Sequence, residues 1–252
     1  MFEFQWFEWL VLIIAGLGIG FAKTGIQGST IPVVVLMAIT FGGQISAGMM
    51  LLFLLVGDAF AVKHYGKEVS IKGIWHLLPS TVVGVILGVI YGNMINDNQF
   101  KMTIGVIVLI CLALLIHKEI KKSTIKIPNH SFVSAIVGVL SGFSSMVGNA
   151  AGPIFSVYIL SKTIDKRKMI STTAWFFIVT NLVKLPFHIF VWQTIDFSNL
   201  VLALILLPII FIGTRVGILV IQHIEEKTYR KLIFVTTILS AIYLFIAYSY
   251  EE

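Results

Sequence analysis

Charged side chains are scarce in this chain: Asp, Glu, Lys and Arg make up 12% of its 252 residues, against 58% hydrophobic ones and a mean hydropathy of +0.97. So little polar surface cannot cover a water-soluble globule. An all-α polytopic membrane protein with a single membrane domain is expected. Cysteine is nearly absent as well. The lone Cys111 lies in an apolar run, so no internal disulfide can form and the side chain is expected to pack as a small hydrophobe. Also missing are His-Glu-x-x-His, Gly-x-Ser-x-Gly and Walker sequences, and the six histidines show no metal spacing. Asp97, Asp165 and Asp196 read as loop residues, not as the aspartate pair of an intramembrane protease. Hydrolysis and ATP-driven pumping thus lose their usual machinery, and neither metal nor cofactor is expected. The N-terminus lacks a basic signal-peptide region and carries Glu3 and Glu8 instead, so it reads as mature chain with Trp6 and Trp9 at the membrane interface.

What is present is a series of apolar runs, at about 7–21, 31–41, 44–62, 74–94, 102–116, 132–143, 153–160, 169–191, 200–221 and 232–248. Four of them are short for a hydrocarbon core of about 30 Å, since 15 helical residues reach roughly 22 Å and 11 reach roughly 17 Å. These four flank "AKTGIQGST" and "SSMVGNAAGP" in pairs. Basic residues cluster in four loops: Lys63, Lys67 and Lys72; Lys118, Lys121, Lys122 and Lys126; Lys162, Lys166, Arg167 and Lys168; and Lys227, Arg230 and Lys231. By the positive-inside rule these loops face the cytoplasm, which puts both termini outside. The net charge of +6 therefore reports orientation in a lipid bilayer, and no nucleic-acid partner is expected. Each short pair must count as an even number of crossings, as a re-entrant hairpin or as two short spans.

The two halves resemble each other. "PSTVVGVILG" from Pro79 and "PIIFIGTRVG" from Pro208 share Pro, Gly and Gly at an offset of 129 residues, and "GFAKTGIQGSTIP" matches "GFSSMVGNAAGP" at a slightly smaller one. A tandem repeat follows, each unit a broken or re-entrant helix pair plus three transmembrane helices, with the second unit inverted in the membrane. Repeat one covers about 5–117, a cytoplasmic linker about 118–130 and repeat two about 131–250. Irregular backbone at membrane depth is tolerated only where protein shields it or where it lines a watery cavity. Gly25, Gly28, Gly148 and Gly152 permit such turns, Pro32 and Pro153 suit the start of a returning half-helix, and the N–H groups exposed there favour anions. Gly84 with Gly88, and Gly213 with Gly217, read as helix-packing pairs.

Lys23, Asp58, Lys184 and Arg215 fall in or beside apolar segments, where an ionisable group costs at least about 2.5 kcal/mol and usually faces a cavity or a partner. Lys23 lies at the first broken tip, with snorkelling to the surface as the plain alternative. Lys184 follows Asn181 by one turn and precedes His188 by another, so the three share a face. A structural ion pair is its alternative. Arg215 reads as snorkelling to the cytoplasmic end. Asp58 either pairs with a buried lysine or carries a coupling proton. Three cations against one carboxylate favour an anionic substrate.

"GFAKTGIQG", "GDAFAVKHYG", "MVGNAAGPIFSVYIL" and "AWFFIVTNLVKLPFHI" resemble, in order, the Gly-Phe-x-Lys-x-Gly, Gly-Asp, Gly-Asn-x-x-Gly-Pro and Asn-x-x-Lys-x-Pro patterns of the TauE/SafE family of sulfite and organosulfur anion transporters. The resemblance spans nearly the whole chain. It implies secondary transport of a small sulfur-containing anion across the bacterial cytoplasmic membrane. Carried over residue by residue it touches Lys23, Gly25, Gly28, Asp58, Gly148, Asn149, Gly152, Pro153, Asn181 and Lys184. The turn Gln27-Gly28-Ser29-Thr30 departs from the more glycine-rich or apolar turn often found there, which bears on substrate size and selectivity.

The expected function is alternating-access transport of an anion such as sulfite or a sulfonate, with proton coupling open. Substrate binding is expected at Lys23, Thr24, Gly25, Gly28, Ser145, Gly148, Asn149, Gly152, Asn181 and Lys184, with Asp58 and His188 as coupling candidates. An anion channel, or a membrane enzyme or assembly factor using the same cavity, are the alternatives. Sequence leaves a homodimer open.

Overall fold

The computed structural model describes residues 4–24, 29–69, 74–121, 131–162, 166–223 and 228. Its elements are α1 (Trp6–Lys23), α2 (Thr30–Phe41), α3 (Gly43–Tyr65) with a 3-10 turn at Gly66–Glu68, α4 (Leu78–Met94), α5 (Asp97–Lys121), α6 (Ser131–Gly148), α7 (Gly152–Lys162), α8 (Lys166–Pro186) continuing into a π-helical turn at Phe187–Val191, and α9 (Phe197–His223). No strand occurs among the described residues. Four of the helices are long and apolar enough to cross a membrane, over Trp6–Lys23, Gly43–Tyr65, Lys168–Val191 and Phe197–Val220. The apolar run 232–248 lies outside the described residues.

Several helix ends depart from the apolar runs. α1 and α6 each have 18 residues and reach about 27 Å, because Lys23 and the stretch from Ser144 to Gly148 continue the helix beyond the last strongly apolar residue. Their partners α2 and α7 are short, as expected, at 12 and 11 residues. α4 begins at Leu78, not Ile74, since Pro79 fits the first turn of a helix but not its interior. Pro186 ends the regular part of α8. Its missing N–H opens the following turn into a π-helix, in which the Trp192 N–H reaches back to the Phe187 carbonyl at 2.9 Å.

The molecule is apolar on its outside. Leu10, Ile13, Ile14 and Leu17 of α1, Val83, Ile86, Leu87 and Ile90 of α4, and Leu204, Ile212 and Leu219 of α9 are all exposed. Patches of this kind exceed what a soluble monomer leaves in water and suit acyl chains. The protein is a multi-pass membrane protein. α3 is the central helix, with 67% of its most apolar window buried against 39–44% for the other three long helices.

The broadest helix contacts are α1 on α9 and α4 on α6, and α3 crosses α8 between them. Lipid tails compete with any apolar side chain, so such contacts rest on close backbone approach. A Cβ on Gly20 would fall on the Ile210 carbonyl and one on Gly213 on the Leu17 carbonyl, while Gly84 meets the Val139 carbonyl and Gly142 the Thr81 carbonyl in the same way. No side chain fits at these four positions without separating the helices. Replacing Gly20 or Gly142 by Leu is expected to lower the thermal stability of the detergent-purified protein, on the scale of about 1–3 kcal/mol for overpacking. Ile90→Val, on the lipid face, should leave the melting temperature within a degree or two of wild type, and equal melting of all three variants would refute the close-contact account.

Candidate functional site

The helical backbone is interrupted where α1 gives way to α2 and where α6 gives way to α7. At the first interruption Lys23 closes α1, where a cation favours the negative end of the helix dipole. Its aliphatic stem lies on α3 at Gly57, where a Cβ would stand 3.0 Å from Lys23 Cγ. That gap lets the ammonium reach the next residue: Lys23 Nζ pairs with Asp58 Oδ1 at 2.7 Å and stands 4.8 Å from the Phe177 ring centroid. Gly57-Asp58 is thus a functional pair of neighbours, the first supplying room and the second charge.

At the second interruption Asn149 follows the end of α6 with φ of 49°, the left-handed region that Asn tolerates better than most residues. Its amide Nδ2 donates to the Ala47 carbonyl of α3 at 3.1 Å, and its Oδ1 accepts from Lys184 Nζ at 2.5 Å. Lys184 also donates to Ser145 Oγ at 3.3 Å and to Asn181 Oδ1 at 3.4 Å. Asn181 in turn donates through Nδ2 to Asp58 Oδ2 at 2.7 Å. Lys23, Asp58, Asn181, Lys184, Asn149 and Ser145 therefore form one connected polar network. It joins α1, α3, α6 and α8 across residues up to 161 positions apart in sequence, from Lys23 to Lys184. Two ammonium groups against one carboxylate leave it one formal positive charge in excess.

Beside the network lies a cleft of about 560 Å³, counting its open mouth. Lys23, Thr30, Asp58, Ser145, Asn149, Gly152, Thr173 and Asn181 line it, interleaved with the apolar Ala22, Leu54, Ile170, Ala174 and Phe177. A family model described as sulfite exporter TauE/SafE matches residues 10–244. The chain belongs to the TauE/SafE family. No curated protein and no solved structure matches it. As a TauE/SafE protein it is a member of a family of membrane transporters of sulfite and related anions.

The expected site residues divide into those that reach the cleft and those that do not. Lys23, Asp58, Ser145, Asn149, Gly152 and Asn181 line it. Lys184 stands behind the wall, fully buried, with its three donors on wall residues. Thr24 is buried and its hydroxyl returns to the Phe21 carbonyl at 2.7 Å. Gly148 ends α6 outside the lining. Gly25 and Gly28 lie outside the described residues. His188 shares its helix with Lys184 but its Nδ1 hydrogen-bonds Thr194 Oγ1 at 2.8 Å and its ring meets Trp192 edge-on at 4.9 Å, away from the cleft lining. Arg215 is exposed, its guanidinium 5.0 Å from the Phe211 ring centroid.

Thr173 and Phe177 were not anticipated. Their signal was available in periodicity: Ile170, Thr173, Ala174, Phe177 and Asn181 follow the i, i+3, i+4, i+7, i+11 spacing of one helix face, so extending Asn181's face toward the start of α8 would have found them. The buried Lys23–Asp58 pair supports a stability test. Lys23→Met or Asp58→Asn alone strands its partner, and each should reduce stability by about 3–5 kcal/mol in a thermal-melt series. The double variant should recover a substantial part of that loss, and strictly additive losses in the cycle would contradict a direct pair.

Proposed function

We propose that the protein carries a small oxyanion of the sulfite or organosulfonate kind across the bacterial cytoplasmic membrane by alternating access, as one transport domain built from two inverted repeats, about 5–117 and about 131–250, with both termini outside. The carrying observation is the network's single positive excess, buried beside a cleft where the ends of α1 and α6 and the starts of α2 and α7 meet. At low local dielectric an unbalanced charge attracts a counter-ion far more strongly than in water. An anion stripped of hydration needs replacement donors, and a cation, amides and helix starts supply them.

Lys23 faces the anion in this reading. Lys184 contributes its charge from behind and holds the amides of Asn149 and Asn181 in orientation. Asp58 is proposed to take a coupling proton, with His188 as the second candidate. Thr24 and Gly148 shape the tips.

The repeat reading is supported by contacts that recur with constant offsets. Gly213 against Leu17, Gly20 against Ile210, Gly217 against Thr24 and Gly16 against Ile209 join α1 to α9. Their counterparts are Gly84 against Val139, Gly142 against Thr81, Gly88 against Met146 and Gly138 against Ser80, which join α4 to α6. The α1 and α6 partners differ by 122 residues and the α4 and α9 partners by 129 in every case. α3 and α8 start 123 residues apart, at Gly43 and Lys166, and at the same offset Asp58 matches Asn181 and Leu54 matches Phe177. Asp58 and Asn181 hydrogen-bond each other, which puts the cleft beside the proposed pseudo-twofold axis.

Departure from that symmetry is what supports alternating access. The cleft extends along α8 past Phe177 to Ala174, Thr173 and Ile170, toward the basic start of that helix. The corresponding residues of α3 are Leu51, Met50 and Ala47, and they are packed at 0–3% exposure. In this reading the half-pathway along α8, whose Ile170, Thr173 and Ala174 line the cleft at 4–6% exposure, is the open one and its counterpart along α3 is shut. Transport would exchange them.

Proteoliposomes should accumulate labelled sulfite or a sulfonate saturably, and Lys184→Ala or Asp58→Asn should reduce the rate at least tenfold. Transport undiminished by both variants would return the network to a purely structural role. In a background with Cys111 replaced by Ser, Ala174→Cys should react with an impermeant thiol reagent from the side of the basic loops. Met50→Cys should react from the opposite side only while substrate is being carried. Failure of Met50→Cys to react during active transport would reject the proposed exchange.

A further inference from the structure

Thr173 is 6% exposed, and its hydroxyl has no hydrogen-bond partner among the described residues. Of the buried hydroxyls without a partner among the described residues, on Ser141, Ser144, Ser171 and Thr173, that of Thr173 alone lines the cleft, and three other buried threonines turn the hydroxyl back onto a carbonyl one turn earlier. Thr81 donates to Leu77 at 2.8 Å, Thr180 to Phe176 at 2.8 Å and Thr214 to Ile210 at 2.9 Å. This local bond is the default for a threonine inside a helix. Thr173 sits in the interior of α8, only seven residues before Thr180, yet it does not make that bond. A buried hydroxyl without a partner is unfavourable unless something else supplies one.

What surrounds it is the cleft. Thr173 lines the wall that also carries Lys23, Ser145 and Asn149, together with Gly152, the first residue of α7. One N–H of each amide in that wall is committed to α3, Asn149 Nδ2 to the Ala47 carbonyl and Asn181 Nδ2 to Asp58. α7 presents the start of an 11-residue helix, whose first N–H groups carry partial positive charge. The cleft thus brings together a cation, a helix start and, in Thr173, a buried neutral hydroxyl without a partner among the described residues. An oxyanion presents several acceptor oxygens and matches three donors of different kind, whereas a halide offers one centre.

We propose that the Thr173 hydroxyl is a substrate-binding donor for the oxyanion, acting with Lys23 and the start of α7. Its counterpart in α3 is Met50, which has no hydroxyl, so this donor belongs to one half-pathway alone. The inference rests on the carrier reading above and adds a residue that selects for the oxyanion head.

The test is Thr173→Val, which removes the hydroxyl and keeps the branched shape, beside Thr173→Ser, which keeps the hydroxyl. Sulfite and methanesulfonate serve as probes in the full-length protein, with transport measured in proteoliposomes and anion-induced thermal stabilisation in detergent. Thr173→Val should raise KM about tenfold with little change in maximal rate and should diminish the stabilisation by either anion. Thr173→Ser should remain within about twofold of wild type. Melting of anion-free Thr173→Val should match or exceed wild type, because an unpartnered hydroxyl has been removed. Unchanged KM in a folded Thr173→Val protein would overturn this assignment alone. A loss of anion-free stability with unchanged KM would likewise overturn it, assigning the hydroxyl to a structural water. Absence of any anion effect on wild type would overturn the carrier reading and this assignment with it.

Discussion

Lys184 carries an ammonium group to a position with no water contact, and its neighbours are arranged around that constraint. Among the described residues no carboxylate pairs with it. Its hydrogen bonds go to three neutral oxygens, on Ser145, Asn149 and Asn181. Donors cannot face donors, so both amides must turn their oxygens to the lysine and their nitrogens away. The nitrogens then find Asp58 and the Ala47 carbonyl, both on α3. One buried charge thereby orients two side chains and ties the end of α6 to the crossing of α3 and α8. Asp58 is held twice, by Asn181 and by Lys23, and the second bond extends the tie to the end of α1.

Such a centre must be kept from lipid. Glycine interfaces between α1 and α9 and between α4 and α6 bring backbones together on its flanks, and α3 fills the middle. The outer faces of the same helices are Leu, Ile and Val. Polarity inside and hydrocarbon outside reverse the arrangement of a soluble protein, and the two zones coexist because small residues let the helices close without bulky apolar filling.

Much of the candidate site was legible because its residues are anomalies. A lysine or aspartate in an apolar run, or Asn beside Gly at a helix interruption, stands out by cost alone, which is why Lys23, Asp58, Asn149, Asn181 and Lys184 could be singled out. Helix ends were less legible. Hydropathy drops at Ser144 and Lys23, yet the helix continues through both, since backbone hydrogen bonding is indifferent to side-chain polarity where protein, not lipid, surrounds it. Thr173 and Phe177 carry no anomaly. Threonine and phenylalanine are ordinary in a membrane helix, and only their shared face with Asn181 distinguishes them.

The sequence by itself determined the membrane class, the two interruptions and the excess of cations in apolar segments, because each follows from the transfer cost of side chains and backbone into hydrocarbon. Which ammonium meets which acceptor was decided by tertiary structure alone. Lys23 and Lys184 are equally anomalous as letters. It is the room left by Gly57 and the crossing of α3 over α8 that bring Lys23 to Asp58 at the cleft and leave Lys184 behind its wall. Partners 35 and 39 residues apart for one lysine, at Asn149 and Ser145, are a matter of helix packing geometry, which hydropathy does not encode.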